Sequence, residues 1–586
     1  MEAAATLSPG QKAALEGRVR LVEAGPGSGK TRTVVARFAQ AAQGPKAAAL
    51  LSFTNAAVDA ARSRLASAPR LVEAPNFVGT FDQFFHRYVV TPYVCQTADC
   101  SPRYVQSWDD LPDHLSRVRP DGGGAGFPLT RFSQNQDGDR QLDESRLRRT
   151  ESIAWGNLTL WTRNALNEMA SEQVRVLLGA HLYDTDSARE QALAVLSDPQ
   201  SSFLGRLATR FGEVIVDEFQ DCDNLEHELL GMLTGAGINV VAVADPDQAI
   251  YEFRRATPTT YNQFRAKLPQ DSIAALTTCY RSAPAICSLA SSLRAAGTCG
   301  IDPDPGHEGG AAAVRIVVGT GAKAGDAAAA AVHAAGIGVA DTRIVAHKRS
   351  DARALSRQGN VSEKGGSRME GLLASLAVLR GTADARQRLR AIRRIEGVLL
   401  DLLGSSGRGP QTRDDQLDAL GLSADQVRMV VGKLLAESGG WSDGSACRGA
   451  AVDAVKNLLA LAGIDPPGRL GSSLPLREDV WKRWAPTLAD AAATTDANRV
   501  ACTHVHAVKG AEFDAVILAL PTRAQGDTHV LDDWESGANT EQRRVLYVGA
   551  SRAKKLVVLV VGPKREGQLI RILERDGVPF EMVPRA

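Results

Sequence analysis

A chain of 586 residues is too long for one hydrophobic core, so several domains are expected. With 44% hydrophobic and 23% charged residues it has an ordinary globular composition, and it holds no run of about 18 apolar residues that could cross a membrane as a helix. The formal net charge of +1 neither requires nor excludes nucleic acid, because a basic groove can be offset by acidic surface elsewhere.

The first residues, Met1 to Pro9, lack the basic start and apolar core of a signal peptide, and a cytoplasmic location is expected. Leu7 to Leu15 reads as a capped helix start. A short apolar run, Val19 to Val22, is broken only by Arg20. It leads into Ala24-Gly25-Pro26-Gly27-Ser28-Gly29-Lys30-Thr31, followed by Arg32 and by helical spacing over Thr33 to Ala39. Strand, glycine-rich loop and helix form the context of a phosphate-binding loop. Glycines let backbone N–H groups converge on an anion, and the helix N-terminus adds partial positive charge. Lys30 can reach the outer phosphates, and the Thr31 hydroxyl can hold Mg²⁺. Ala24 stands where the usual pattern has glycine.

Ala47 to Phe53 is a short apolar strand ending in Thr54-Asn55, with a helix from near Ala56. Asn76 to Phe84 reads as a strand running into a helix. Repeated strand-to-helix units predict a parallel sheet covered on both faces. From about Thr91 to Ser202 the pattern changes to an inserted, largely helical segment with Gly122-Gly123-Gly124, arginines around 146–149, and Trp108, Trp155 and Trp161. Sheet patterning resumes at Glu213 to Glu218 and at Asn239 to Asp245. Val314 to Val318 opens a second sheet. Residues 351–496 read as helical, and strands return at Ala515 to Leu520 and Lys555 to Val561. The fold class is therefore α/β, with two parallel-sheet units, each interrupted by a helical insertion.

Eight cysteines are sparse for this length. Cys95/Cys100 and Cys279/Cys287 are the close pairs, and neither is followed by a second pair at zinc spacing, so reduced structural thiols are expected.

Val214-Ile215-Val216-Asp217-Glu218-Phe219-Gln220-Asp221 places adjacent carboxylates at the end of a buried strand. There one acid can hold Mg²⁺ while its neighbour orients and deprotonates a water. The next strand also ends in charge, at Asp245-Pro246-Asp247-Gln248-Ala249-Ile250-Tyr251-Glu252-Phe253-Arg254. With Gln11, Ser52 to Asn55, Gly79-Thr80-Phe81, Tyr280-Arg281-Ser282, His506 to Phe513 and Glu541 to Ala553, these segments stand in one order along the chain. In that order and wording the chain resembles superfamily 1 DNA helicases of the UvrD/Rep/PcrA type.

The resemblance implies two RecA-like P-loop lobes with ATP and Mg²⁺ between them. The expected layout is lobe 1A at 1–90 and 204–275, insertion 1B at 91–203, lobe 2A at 276–350 and 497–586, and insertion 2B at 351–496. It implies that Lys30 and Thr31 bind phosphate and metal, that Asp217 holds the metal, and that Glu218 is the general base. Gln248 would sense the γ-phosphate, Gln11 would read the adenine edge, Tyr280 would stack on its face, and Glu512 would contact ribose. Arg281 and Arg552 would be arginine fingers, a role worth roughly 10³–10⁵ in turnover. Phe53, Tyr251 and Phe253 sit at strand-to-loop ends, where flat faces can stack on unpaired bases for about 1–3 kcal/mol each. Phe53 and Phe253 suit a core equally well on their residues alone, and the resemblance favours stacking. Thr54, Asn55, Thr80, Arg254 and His506 complete the implied DNA contacts. The implied partners are single-stranded DNA and its junctions with duplex, with movement 3′ to 5′; no residue pattern shows that polarity independently.

Several positions depart from the family pattern. Asp82 replaces a histidine, an acid facing where a strand would pass. His504 replaces a hydroxyl residue, Ala244 replaces a glycine, and Cys222-Asp223 follows Asp221. In the second insertion Arg386, Arg388, Arg390, Arg393 and Arg394 flank a stripe of Leu389, Ile392, Ile395 and Leu399, which reads as a solvated face on a packed helix. No acidic nuclease cluster follows Ala553, so cleavage would need another protein. An alternative reading is a DNA-sensing ATPase subunit that licenses a nuclease partner in repair or defence. A P-loop kinase would leave Arg552 and the aromatic boxes without a purpose.

Overall fold

Short apolar runs, each stopped by a turn or helix cap, build two six-stranded sheets in the computed structural model. The structure describes residues 7–120, 126–135, 138–250, 258–295, 297–306, 313–356, 367–381, 385–403, 413–465, 470–489, 500–524 and 528–584. The chain divides into two units. One comprises Met1–Cys100, Asp186–Gly359 and Asn498–Ala586; the other comprises Ser101–Thr185 and Asn360–Ala497.

Both sheets belong to the first unit, and every pairing in them is parallel. The first runs Ile273–Leu276, Leu21–Ala24, Asn239–Ala244, Phe211–Asp217, Ala47–Ser52, Phe77–Thr80. The second runs Ala501–His504, Thr342–Ala346, Phe513–Ala519, Ala553–Val561, Val314–Val318, Glu581–Met582. Helices flank both sheets, giving two RecA-like lobes. Burial on both faces explains the unbroken apolar runs, since Val214, Ile215, Val216, Val557 and Val558 are all fully buried. Parallel strands carry their loops at matching ends, so the glycine-rich loop, the Asp217–Glu218 turn and the Asp245 turn emerge side by side.

Four strands of the two sheets escaped the sequence reading, among them the two-residue Glu581–Met582. Ile273–Leu276 is four residues long, Thr342–Ala346 carries Arg343, and Ala501–His504 lies at a sheet edge with a polar end. Each is too short or too polar to show an apolar run by itself.

In the second unit, the part at 101–185 has short strand pairs where helix was expected. Arg117–Val118 pairs with Phe127–Pro128, Phe132–Gln134 with Arg140–Leu142, and Arg103–Tyr104 with Leu182–Tyr183. Helices Arg149–Gly156 and Leu160–Gly179 follow, around a core that includes Trp108, Phe127 and Trp155. The part at 360–497 is helical in its described residues, packed around Met369, Ile395, Leu399, Val455 and Trp484. Its helix Ala385–Leu403 buries Ile395 and Leu399 as expected, but Leu389 is 48% exposed. The packed stripe keeps the expected Ile392 and takes Ala391 in place of Leu389.

All eight cysteines are free thiols. Among the described residues no helix is long and apolar enough to cross a membrane, and no group of three His, Cys, Asp or Glu side chains could hold a metal ion.

Candidate functional site

The glycine-rich loop at 24–31 is fixed by its glycines and by one glutamine. Ser8 caps the helix Pro9–Ala13 through a capping box with Gln11. This directs the Gln11 amide to Ser28 O, to which Nε2 donates at 3.0 Å. Gly27 and Gly29 have φ of +68° and +79°, the left-handed region where a Cβ is strained. Space forbids a Cβ as well. At Gly29 it would lie 2.4 Å from Gln11 Nε2, and at Gly27 it would lie 2.6 Å from Arg281 Cβ. Gly29 also ends the loop as N-cap of the helix Lys30–Ala41, so the helix N-terminus opens at Lys30. Ala24 is buried in the strand before the loop, where a methyl group is accommodated.

Lys30 Nζ lies 2.5 Å from Glu218 Oε1 and 3.8 Å from Asp217 Oδ1. Glu218 has φ of +58°, a strained conformation for a residue with a side chain, which turns the carboxylate back over the strand end. Its other oxygen accepts from Gln220 Nε2 at 2.5 Å, and Gln220 Oε1 accepts from Asp245 N at 3.1 Å. Burial acts against the Glu218 carboxylate, but Lys30 and Lys509 hold it ionised, down at about 2. Burial pushes Asp217 up to about 6, with Glu218 adding repulsion against the pull of Lys30. Asp221 is pushed up to about 6 in the same way, and its Oδ1 is buried without a hydrogen-bond partner among the described residues. Carboxylate charge thus exceeds the two lysines that face it, which suits a site completed by a divalent cation.

The second sheet supplies a matching set. Lys509 Nζ reaches Asp221 Oδ2 at 2.5 Å and Gln248 O at 2.9 Å. Tyr547 OH donates to Asp245 Oδ2 at 2.8 Å, and Gln248 Nε2 donates to the same oxygen at 2.7 Å. Arg294 pairs with Asp247 at 2.6 Å and Asp245 at 3.4 Å. Arg552 is 3% exposed, and its Nη2 donates to Gln248 Oε1 at 3.3 Å. Burial, with Arg281 adding repulsion, pushes its guanidinium down to about 10. Arg281 is held by Glu512, Nε to Oε1 at 2.8 Å, and by Ser551 O at 3.0 Å. Tyr280 N donates to Gly27 O at 2.9 Å, and the residue is 43% exposed. Thr31 and Arg32 lie partly exposed on the first helical turn.

The structure therefore brings Gln11, residues 24–32, Asp217, Glu218, Gln248, Tyr280, Arg281, Glu512 and Arg552 to one cleft. Lys509, Asp221, Tyr547 and Arg294 were not singled out from sequence. The first three lie inside or beside the quoted boxes, so their positions carried a signal; Arg294, 47 residues beyond its partner Asp247, carried none.

A second group lies at the ends of the adjoining strands Ala47–Ser52 and Phe77–Thr80, where Ser52 is in register with Thr80. Phe53 is partly exposed and stacks on Phe81, with ring centroids 5.8 Å apart at 15°. Thr54 and Thr80 cap the helices that follow, and Asn55 is exposed. His506 Nε2 lies 3.0 Å from Ile250 O, and its ring neighbours those of His347 and His504 at 6.0 and 5.8 Å. Tyr251, Phe253 and Arg254 lie outside the described residues.

Asp82 has a cationic partner. It pairs with Arg189 at 2.7 Å, and Arg189 also holds Glu226 at 2.7 Å and Asp223 at 3.4 Å. The acid is paired inside a network in which Arg189 is shared with Asp223 and Glu226, tying the Thr80 turn to the capped start of Asn224–Gly235.

Residues 7–269 match the UvrD/REP helicase N-terminal domain and residues 499–560 the UvrD-like helicase C-terminal domain. The chain belongs to the UvrD/Rep/PcrA-type superfamily 1 DNA helicase family. It is 28% identical over 292 residues to ATP-dependent DNA helicase srs2 of Schizosaccharomyces pombe, covering 46% of this chain and 32% of that protein. Against ATP-dependent DNA helicase UvrD1 of Mycobacterium tuberculosis it is 29% identical over 306 residues, 49% of this chain and 39% of the relative. DNA helicase II of Escherichia coli is 28% identical over 286 residues, 47% and 38% of the two chains. The matched stretch thus spans well under half the length of each relative.

Proposed function

We propose that the chain is an ATP-driven helicase or translocase that moves 3′ to 5′ on single-stranded DNA, acting in repair, recombination or defence. The observation that carries this reading is the cleft itself. The first lobe contributes a glycine loop, a lysine and two carboxylates, and the second contributes two arginines and Lys509 to the same few side chains.

In this reading Lys30 exchanges its Glu218 partner for the outer phosphates of ATP, releasing Glu218 to accept a proton from the attacking water. Mg²⁺, held by the Thr31 hydroxyl and the Asp217 carboxylate, would offset the phosphate charge. Gln248 senses the γ-phosphate, and Arg281 and Arg552 meet the charge that develops on the transferred phosphoryl group. Gln11 and Tyr280 hold the base, and Glu512 reaches the ribose once Arg281 turns to phosphate. Because Arg552 touches Gln248 directly, phosphate release is felt by the second lobe at once. Alternate gripping of one strand by Phe53, Thr54, Asn55 and Thr80 on one lobe and His506 on the other, with Tyr251, Phe253 and Arg254, converts that cycle into movement.

The test is ATP turnover with and without single-stranded DNA, joined to strand displacement on 3′- and 5′-tailed duplexes. Turnover unchanged by DNA would count against the proposal. A second reading, an ATPase subunit that licenses a nuclease or another repair or defence protein, is favoured by the stretch between the two family matches, residues 270–498, which includes the helical part at 360–497. Weak displacement by the isolated chain, restored by a co-purifying partner, would support that reading instead.

A further inference from the structure

Three histidines meet at one end of the second sheet. His347 follows the strand Thr342–Ala346, His504 ends the strand Ala501–His504, and His506 lies in the turn Val505–Val508. Register sets the two strand ends side by side, because Ala346 is the partner of His504 across the parallel pair. The ring of His506 lies 6.0 Å from that of His347 and 5.8 Å from that of His504. All three residues are half-buried, so each keeps part of its surface in solvent. His506 Nε2 lies 3.0 Å from the carbonyl of Ile250, the residue before Tyr251. Only His506 is among the DNA contacts named above. His504 stands where the family pattern has a hydroxyl residue.

The charges around the cluster favour an anion. Helix Arg349–Leu355 brings Lys348 at its N-cap, then Arg349 and Asp351. Helix Glu541–Ala550 packs on the turn and brings Arg544, whose Nε donates to Ala249 O at 2.7 Å. Lys509 follows the turn and is committed to Asp221. The adjoining strand Phe513–Ala519 ends in Ala519 and Leu520 and adds no charge at this end. Lys348, Arg349 and Arg544 thus outnumber Asp351. Burial, His506 and Lys348 hold the His347 imidazole below its ordinary range, with Asp351 opposing them. Burial lowers His506 as well, with Lys509 adding to it against the pull of Ile250 O. Three close imidazoles cannot all charge by themselves, and a phosphodiester supplies the opposite charge they would need.

We propose that His347 and His504, together with His506, form a binding site for one phosphodiester of single-stranded DNA, and that the strand is taken up together with a proton. The proposal rests on the DNA-binding reading above and gives that reading two further residues and a pH dependence. A hydroxyl at position 504 would donate to phosphate at any pH, whereas an imidazole meets it with charge only after protonation. The free rings are neutral above their lowered range, and the phosphate-bound rings are held charged. Affinity therefore rises as pH falls from 8 toward 6, and levels off once the free rings are themselves protonated.

The test measures fluorescence anisotropy of a rhodamine-labelled oligothymidylate with the full chain, at pH 8 and pH 6 and over a range of salt. It compares wild type with His504→Thr and with His347→Phe/His504→Thr, and urea melts at both pH values report folding. Wild-type affinity is expected to rise about ten-fold at pH 6, the worth of one charge-assisted hydrogen bond to phosphate. Its log–log salt dependence is expected to steepen by about 0.7, the value of one more single-strand phosphate contact. The double variant is expected to bind like wild type at pH 8 and about ten-fold more weakly at pH 6, with one salt slope at both. His504→Thr restores the family's residue and is expected to fall between the two, so it decides the matter if the double variant does not fold. Parallel pH curves for wild type and the folded variants, or a salt slope that ignores pH, overturn the site. A chain that binds the oligonucleotide at neither pH refutes the DNA reading and this site with it, whereas binding that ignores pH refutes this site alone.

Discussion

Arg552→Met separates a catalytic arginine from a structural one. The guanidinium is buried, and its partners among the described residues are all neutral: Val548 O, Gln248 Oε1 and Ser551 Oγ. Burial and Arg281 push it down to about 10. At about 1.4 kcal/mol for each pH unit, keeping it charged there costs the fold about 3 kcal/mol. Methionine fills similar volume without charge, so the substitution removes that cost and loses three hydrogen bonds of about 1 kcal/mol each. The two nearly cancel, and the midpoint of denaturant unfolding is expected to stay within about 2 kcal/mol of wild type. Turnover stimulated by single-stranded DNA is expected to fall by roughly 10³–10⁵, because no cation then meets the charge on the transferred phosphoryl group. The assay pairs steady-state ATP hydrolysis with urea melts of the same preparation. A fall in turnover below ten-fold, or a loss of several kcal/mol in stability with turnover tracking it, would show that Arg552 holds the fold rather than the transition state.

Three further outcomes follow from the geometry. Gly27→Ala places a methyl group 2.6 Å from Arg281 Cβ at φ of +68°, so ATP binding is expected to be lost, with stability lower by about 1–2 kcal/mol; equilibrium binding of a fluorescent ATP analogue checks it. Phe53→Ala is expected to weaken single-stranded DNA by about 1–3 kcal/mol in fluorescence anisotropy while leaving DNA-free turnover alone, and an unchanged affinity would make Phe53 merely a neighbour of Phe81. Glu226 is pushed up to about 8 by burial, outweighing Arg189. Its folded form therefore keeps a proton that the unfolded chain has released, so its contribution falls as pH rises from 5 to 8. Melts of wild type and Glu226→Gln should show wild type losing stability relative to the variant by about 1 kcal/mol per pH unit across that window; parallel curves would contradict it.

The sequence made the proposed nucleotide cleft readable because its chemistry is local. Gly27, Gly29, Lys30 and Thr31 are contiguous, and Asp217-Glu218 ends an apolar strand whose burial on both faces shows as an unbroken Val-Ile-Val. What stayed hidden depends on distant partners. Asp82 reads as an exposed acid until Arg189 is brought to it from 107 residues away. Lys509 gains its meaning from Asp221 at a separation of 288 residues. The strand pairs in 101–185 are two or three residues long, too short to show a period of two. Leu389 illustrates the same limit on a helix, since its spacing fits the stripe but the packing passes through Ala391.

The central claim is that hydrolysis in this cleft drives movement along one DNA strand. Its most direct test is strand displacement from duplexes carrying either a 3′ or a 5′ single-stranded tail, run with ATP and Mg²⁺ beside a Lys30→Ala control. Displacement of the 3′-tailed duplex that needs both ATP and Lys30 is the predicted result. Displacement that persists in Lys30→Ala, or DNA-stimulated turnover that moves neither duplex, would contradict it.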